Sequence, residues 1–499
     1  MDDGPLPPAP RHHDVIIIGA GFGGLGMGIR LKQAGRDDFV IVEQDAGVGG
    51  TWHANRYPGA ACDIPSLLYS FSFAPNPDWS GNYPGQEEIE AYLNRCVERF
   101  RLGPHLRLRT RISSLAWNEA AQRWNVQAQE RGGLAVQWTA RVVVNATGGL
   151  SRPHIPEIAG LADFAGAVMH TARWHAEVPL ERRRIGIVGT GASAIQILPQ
   201  LVDKAAALTL FQRTPAWIIP KRQRRFGSTE RWLYEHIPGL RTLARALVYA
   251  VHEMRAPGFI WQPRLLASME PLLLARLRRR VTDPALREAL TPRYRLGCKR
   301  ILLASDFYPA VQRRNVQLVS SAIERVVSDG VITADGAHHP LDVLVLATGF
   351  QAAEAMAPFP VRGRHGLELN EAWRHGARAY LGVTVPGFPN LFMIVGPNTG
   401  LGHNSMVFMI ESQLRYVLSA LDRMDRAGVG AVDARWSVSD TFNSRLQRRM
   451  KRTVWSTGGC TSWYQTRDGL ITTLWPGTSL EYRLRTWRFD LADYEPIAA

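Results

Sequence analysis

The sequence predicts an α/β protein built from two Rossmann-like βαβ units with a helical insertion. Three observations carry that reading. The apolar run Val15-Ile16-Ile17-Ile18 leads directly into Gly19-Ala20-Gly21-Phe22-Gly23-Gly24. The same design recurs at Arg184–Val188, followed by Gly189-Thr190-Gly191-Ala192-Ser193-Ala194. Two further apolar runs end alike, at Ala146-Thr147-Gly148 and Ala347-Thr348-Gly349, and flank the second unit. Short β-branched runs read as buried parallel strands.

In the first unit each glycine has a physical reason. Gly19 allows a tight turn, Gly21 lets the backbone approach a pyrophosphate, and Gly24 lets the next helix pack on its strand. That helix carries Leu25, Ile29 and Leu31 on its apolar side. Its N-terminus offers N–H donors and a positive dipole end to an anion. A second strand, Phe39-Val40-Ile41-Val42, ends in Glu43, placed to accept hydrogen bonds from ribose hydroxyls. Gly47-Val48-Gly49-Gly50-Thr51-Trp52 follows. A second glycine-rich stretch beyond the acid suits a cofactor that extends past its pyrophosphate, which favours FAD over NAD. A plain surface loop is the alternative.

In the second unit the strand Leu208–Phe211 is followed by Gln212-Arg213-Thr214, with no acid. An arginine there accommodates a ribose 2′-phosphate, so the second site is expected to take NADPH. A solvated arginine at a strand end is the alternative. Two dinucleotides on one chain imply electron transfer between them, hence redox chemistry.

At 499 residues and 45% hydrophobic content the chain predicts two to three globular domains. The formal charge of +15 would suit nucleic acid or an anionic membrane surface. The basic runs 182–184, 221–225 and 276–280 have no nucleic-acid motif around them, and a solvated basic face is the favoured reading. The four cysteines, Cys62, Cys96, Cys298 and Cys460, form no CxxC pair and no metal-ligand spacing. Dithiol-reductase chemistry and a metal site are therefore not expected. The cysteine usage fits a reducing cytosol, and the localisation is expected to be cytoplasmic. Residues 1–12 read as a flexible tail without signal-peptide features, and no stretch is long and apolar enough to span a bilayer.

The expected division is an FAD-binding domain at 13–155 and 315–499, interrupted by an NADPH-binding domain at 156–314. Between about Phe226 and Leu290, Trp232, Leu233, His236, Leu240, Leu243, Leu247 and Val248 recur at helical spacing. A helical cap packed on protein is favoured over an interfacial membrane helix. The segment Phe388–Asn398 reads as a strand and turn, and Gly400–Ser405 opens a helix from about Met406 whose N–H groups can face a flavin ring.

Phe164-x-Gly166-x-x-x-His170-x-x-x-Trp174 lies just ahead of the second glycine turn. With it, the chain from Asp14 to about Arg488 resembles the class B flavin monooxygenases, and among them the type I Baeyer–Villiger branch, where Trp stands at the last place of the motif. The residue after Trp174 is His175, where the branch carries Pro or Asp. Arg56–Asp63 is similar to the flavin-side loop, Gly297-Cys298-Lys299-Arg300 to the segment with the catalytic Arg, and Gly459–Tyr464 to a segment that closes over NADP. Leu474-Trp475-Pro476-Gly477 looks more like a hydroxyacetophenone-related subgroup.

The resemblance implies oxidation of a ketone by O2 to an ester or lactone through a C4a-peroxyflavin. Arg300 would stabilise negative charge, Asp63 would hold Arg300, and His170 would orient or couple conformations. FAD would be held by Gly19, Gly21, Gly24, Glu43, Gly50, Thr51, Trp52, Asp63, Tyr69 and Asn398. NADPH would be held by Gly189, Thr190, Gly191, Ser193, Ala194, Arg213, Thr214, Lys299 and Trp463. An N- or S-oxygenating monooxygenase and a flavin redox sensor are the competing expectations.

Overall fold

The computed structural model describes residues 11–351, 357–466 and 468–497. Two large sheets organise the chain. Counting only their strands, the first begins with β1 (Arg11–Ile18), β2 (Phe39–Val42), β3 (Leu106–Arg107), β4 (Arg111–Asn118), β5 (Arg123–Gln129) and β6 (Ala135–Asn145). The second contains β7 (Ala167–His170), β8 (Arg184–Val188), β9 (Ala207–Phe211), β10 (Val316–Val319) and β11 (Val343–Leu346). The chain then returns to the first sheet with β12 (Val361–Arg362) and β13 (Leu391–Met393).

The first sheet runs β12-β4-β5-β6-β1-β2-β3, with β13 also on β6. Its β6-β1-β2-β3 portion is parallel, and the β4-β5-β6 meander is antiparallel. The second sheet, β10-β9-β8-β11-β7, is parallel throughout. Parallel pairing demands crossovers. Helices Phe22–Gln33 and Ala192–Leu201 supply the first crossover of each unit.

Two boundaries differ from expectation. Arg11 and His12 pair with Trp138 and Thr139, so β1 starts inside the expected tail. Residues 1–10 lie outside the described residues. A return to the first unit at 315 comes too early, because β10 and β11 are strands of the second sheet. The Ala-Thr-Gly end at Ala347 closes that unit.

The duplication is visible in the packing. Gly19 has φ +100°, and a Cβ there would lie 2.7 Å from the Ala146 carbonyl oxygen. Gly189 has φ +117°, and its Cβ would lie 2.5 Å from the Ala347 carbonyl oxygen. Each glycine turn therefore sits against one Ala-Thr-Gly strand end, at a spacing and a φ that only glycine tolerates.

The helical segment is present as Ser228–His236, Leu240–Glu253, Ala256–Ile260, Arg264–Ala267, Glu270–Arg280 and Pro284–Ala289. Helix Met406–Ala427 starts as expected and packs on helix Phe22–Gln33 through a face that includes the buried Val407, Ile410, Leu414 and Val417. No helix among the described residues is long and apolar enough to cross a membrane.

Candidate active site

The first glycine turn is tied to its acid. Glu43, at the end of β2, accepts from Ala20 N–H at 2.7 Å and from Asp45 N–H at 2.9 Å. Burial pushes its carboxyl up, and these N–H donors offset part of that. The second glycine stretch folds back onto the turn: Gly49 N–H donates to Ala20 O at 2.9 Å, and a Cβ on Gly21 would come 3.6 Å from Gly50 Cα. Two glycines facing each other leave a cradle that side chains would fill. Thr51 starts the short helix Thr51–Ala54. Trp52 Nε1 donates to the Tyr69 hydroxyl at 3.0 Å, and Tyr69 meets Phe22 edge-on at 5.1 Å. These residues gather at the same turn.

Asn398 is spent largely on the protein itself. Its φ is 55°, and its amide donates to the carbonyls of Ile471 and Leu474 at 2.9 Å each. Only its buried Oδ1 has no partner. Its evident work is to pin the turn before helix Met406–Ala427.

In the second unit, Gly191 has nothing within 4 Å of an added Cβ, and Ala194 is buried beneath it. Thr190 Oγ1 donates to Thr214 O at 2.7 Å, which draws the end of β9 to the turn. Arg213 is exposed beyond it. Lys299 lies close enough for the Arg213 charge to act on it. Burial, then that like charge, lower the Lys299 ammonium below its ordinary range.

Asp63 and Arg300 meet between the two units. Arg300 Nε and Nη2 donate to the two Asp63 oxygens at 2.7 Å each, a bidentate pair. The Arg300 side chain retains 36% of its surface exposure and that of Asp63 22%, so a ligand can reach the pair. Burial would raise the Asp63 carboxyl, but the charge and hydrogen bonds of Arg300 outweigh it and hold it below the usual range. The Asp63 charge in turn holds the guanidinium proton more tightly.

Sequence reasoning missed several residues here. Tyr57 donates to Gln196 Oε1 at 2.8 Å, and Gln196 Nε2 donates to Ala61 O at 3.0 Å. The Asp63 loop is thereby clamped onto the first helix of the second unit. Lys221, lowered by burial, lies near Cys62 and Asp63. Tyr464 is buried beside Arg300, and burial pushes its hydroxyl up to about 12. No local pattern marks these contacts.

His170 ends β7 and is 5% exposed. Its Nδ1 accepts from Ala172 N–H at 3.0 Å, and its ring meets Phe350 edge-on at 6.0 Å. Burial lowers its pKa to about 4. A neutral histidine at the crossing between units suits an orienting role. Trp463 is 49% exposed and rests against Tyr464 at 4.4 Å. His175 is an exposed surface partner of Glu177 at 3.0 Å.

Cys298 and Cys460 are joined by a disulfide, while Cys62 and Cys96 are buried free thiols. This corrects the reading of the cysteines as a reduced set. The two bonded residues are far apart in sequence but meet in space, so their spacing gives no sign of pairing. Among the described residues no group of three or more His, Cys, Asp or Glu side chains is placed to hold a metal ion.

Two joined glycine-turn units, each with a parallel sheet, define a two-domain Rossmann-type fold, with the Asp63–Arg300 pair at their junction. The pyridine nucleotide-disulphide oxidoreductase family model matches residues 16–228. A Baeyer-Villiger monooxygenase of Streptomyces coelicolor is 46% identical over 98% of this chain and 93% of its own. One from Pseudomonas aeruginosa is 43% identical over 100% and 95%. A closed cyclohexanone monooxygenase crystal structure superposes with TM-score 0.88 at 28% identity, covering 98% of this chain and 100% of its own. An oxidized steroid monooxygenase bound to NADP gives 0.83 at 31%, covering 95% and 97%. The chain belongs to the Baeyer–Villiger monooxygenases, which are flavin-dependent oxidoreductases.

Proposed function

We propose that this chain binds FAD and NADPH and uses O2 to convert a ketone into an ester or lactone. The observation that carries the reading is the Asp63–Arg300 pair, bidentate yet reachable, at the junction of two glycine-turn units. The first unit, 11–155 with 357–497, would take FAD in the Gly21–Gly50 cradle. The second, 156–347 with the helical segment, would take NADPH at Gly191. When bound, the two cofactors supply hydride transfer and oxygen activation.

This chain's own residues do the rest. Arg213 and Lys299 grip the 2′-phosphate. Asp63 occupies Nε and Nη2 of Arg300, which leaves the Nη1 edge to face an oxyanion. A guanidinium whose proton is held by Asp63 stays charged while negative charge develops on the ketone oxygen. The Tyr57–Gln196–Ala61 clamp keeps the Asp63 loop in register with the second unit. His170, neutral above about pH 4, orients the crossing and moves no proton. Trp463 covers the nicotinamide side.

The test is NADPH consumption with linear, cyclic, aryl and steroid ketones, and with a ketone that also bears a thioether, followed by product mass. A product heavier by one oxygen and cleaved by an esterase supports the reading. Sulfoxide alone overturns it.

A further inference from the structure

Helix Leu240–Glu253 is turned inside out with respect to charge. Its exposed positions are Thr242, Leu243, Ala246, Leu247, Ala250 and Val251, none of them charged. Two of its charged groups, Arg245 and Glu253, point inward. Arg245 Nη1 donates to the carbonyls of Leu67 and Ser70 at 2.6 and 2.8 Å, and Nη2 pairs with Glu411 at 3.7 Å. Glu253 accepts from Asn404 and Ser479 at 2.6 and 2.7 Å. The inner face also packs Ala244, Val248 and Tyr249 on the core. The outer face takes no part in these contacts.

Spacing makes that outer face a stripe. Leu243, Leu247, Val251 and Met254 follow one another at three- and four-residue intervals and are 57%, 60%, 48% and 70% exposed. Trp232, on the helix just before, and Trp261, just after, are each 54% exposed. Contiguous exposed apolar surface marks a surface that meets something. In the segments that flank it in the chain, Arg231, Arg255 and Arg264 are exposed, against the single exposed acid Glu235 between residues 227 and 272.

We propose that this stripe docks the enzyme on an anionic lipid surface. Leucine, valine, methionine and tryptophan enter the headgroup boundary, and the arginines meet lipid phosphates. The charge selects this occupant over a second copy. A two-fold interface would bring two such surfaces, each with more exposed arginines than acids, together on a chain already at +15. An anionic bilayer satisfies both the apolar stripe and its basic rim.

The experiment uses the FAD-loaded full chain and sedimentation with phosphatidylglycerol–phosphatidylcholine vesicles, with pure phosphatidylcholine as the neutral arm. Most of the protein is expected in the pellet with anionic vesicles at low salt, and several-fold less with neutral vesicles or at high salt. The Leu243→Ser/Leu247→Ser/Val251→Ser variant is expected to bind at least about tenfold more weakly with unchanged FAD content and NADPH oxidation. The Arg231→Gln/Arg255→Gln/Arg264→Gln variant is expected to lose the preference for anionic vesicles. Three results overturn the proposal: no pelleting at low salt, pelleting unaffected by the Ser variant, or a dimer that the Ser variant converts to monomer without vesicle binding.

Discussion

Arg300 and Asp63 stand 237 positions apart in the chain, yet two hydrogen bonds of 2.7 Å join them. Truncating Arg300 to Ala removes the charge that faces the developing oxyanion and leaves Asp63 without its partner. Ester formation should fall by about a hundredfold to a thousandfold, on the order of 3 kcal/mol of barrier. Flavin reduction by NADPH, followed by stopped-flow absorbance, should persist. Equal loss of both would mean that Arg300 serves binding or folding alone. His170 gives a pH signature. Its pKa is about 4 when folded and 6.5 in the ordinary state, so between those values the unfolded chain binds more protons. Stability should be complete above pH 6.5 and fall as pH drops towards 4, by about 3 kcal/mol at most. Denaturant midpoints for His170→Gln should show a flatter acid limb than the parent.

The βα turns were legible in the sequence because each glycine answers a local need, and the strands around them were legible by their apolar runs. The helical segment was legible by its spacing, although the spacing does not say which side carries the charge. Strands β10 and β11 were assigned to the wrong unit because a parallel sheet orders its strands through crossovers, and chain proximity does not fix that order. The Asp63–Arg300 pairing came only through the family resemblance. The Tyr57–Gln196 clamp was invisible, since contacts across units leave no periodic trace. At this scale the β9 end makes a prediction. Replacing Arg213 with Asp puts an acid where the first unit has Glu43. The KM for NADPH should rise by about one to two orders of magnitude while that for NADH changes little or falls. Steady-state rates with both coenzymes check it, and an unchanged NADPH KM would remove Arg213 from the phosphate site.

The whole molecule is two βαβ units whose glycine turns each abut an Ala-Thr-Gly strand end, at Ala146 and at Ala347. Filling the first cradle couples ligand to fold. Free FAD at a hundred times its Kd should stabilise the chain by about 2.7 kcal/mol. Stripping the flavin should therefore lower the melting temperature by several degrees, and adding it back should restore it; a melting curve indifferent to FAD would place the flavin elsewhere. The disulfide between Cys298 and Cys460 has a topological outcome of its own. It closes a ring of chain with a sequence separation of 162. Strands β10 to β13 and helix Met406–Ala427 all lie within that ring. A protease cut at any peptide bond inside it opens the ring without dividing the molecule. The nicked protein would run as one piece on a denaturing gel until a reductant separates it into two.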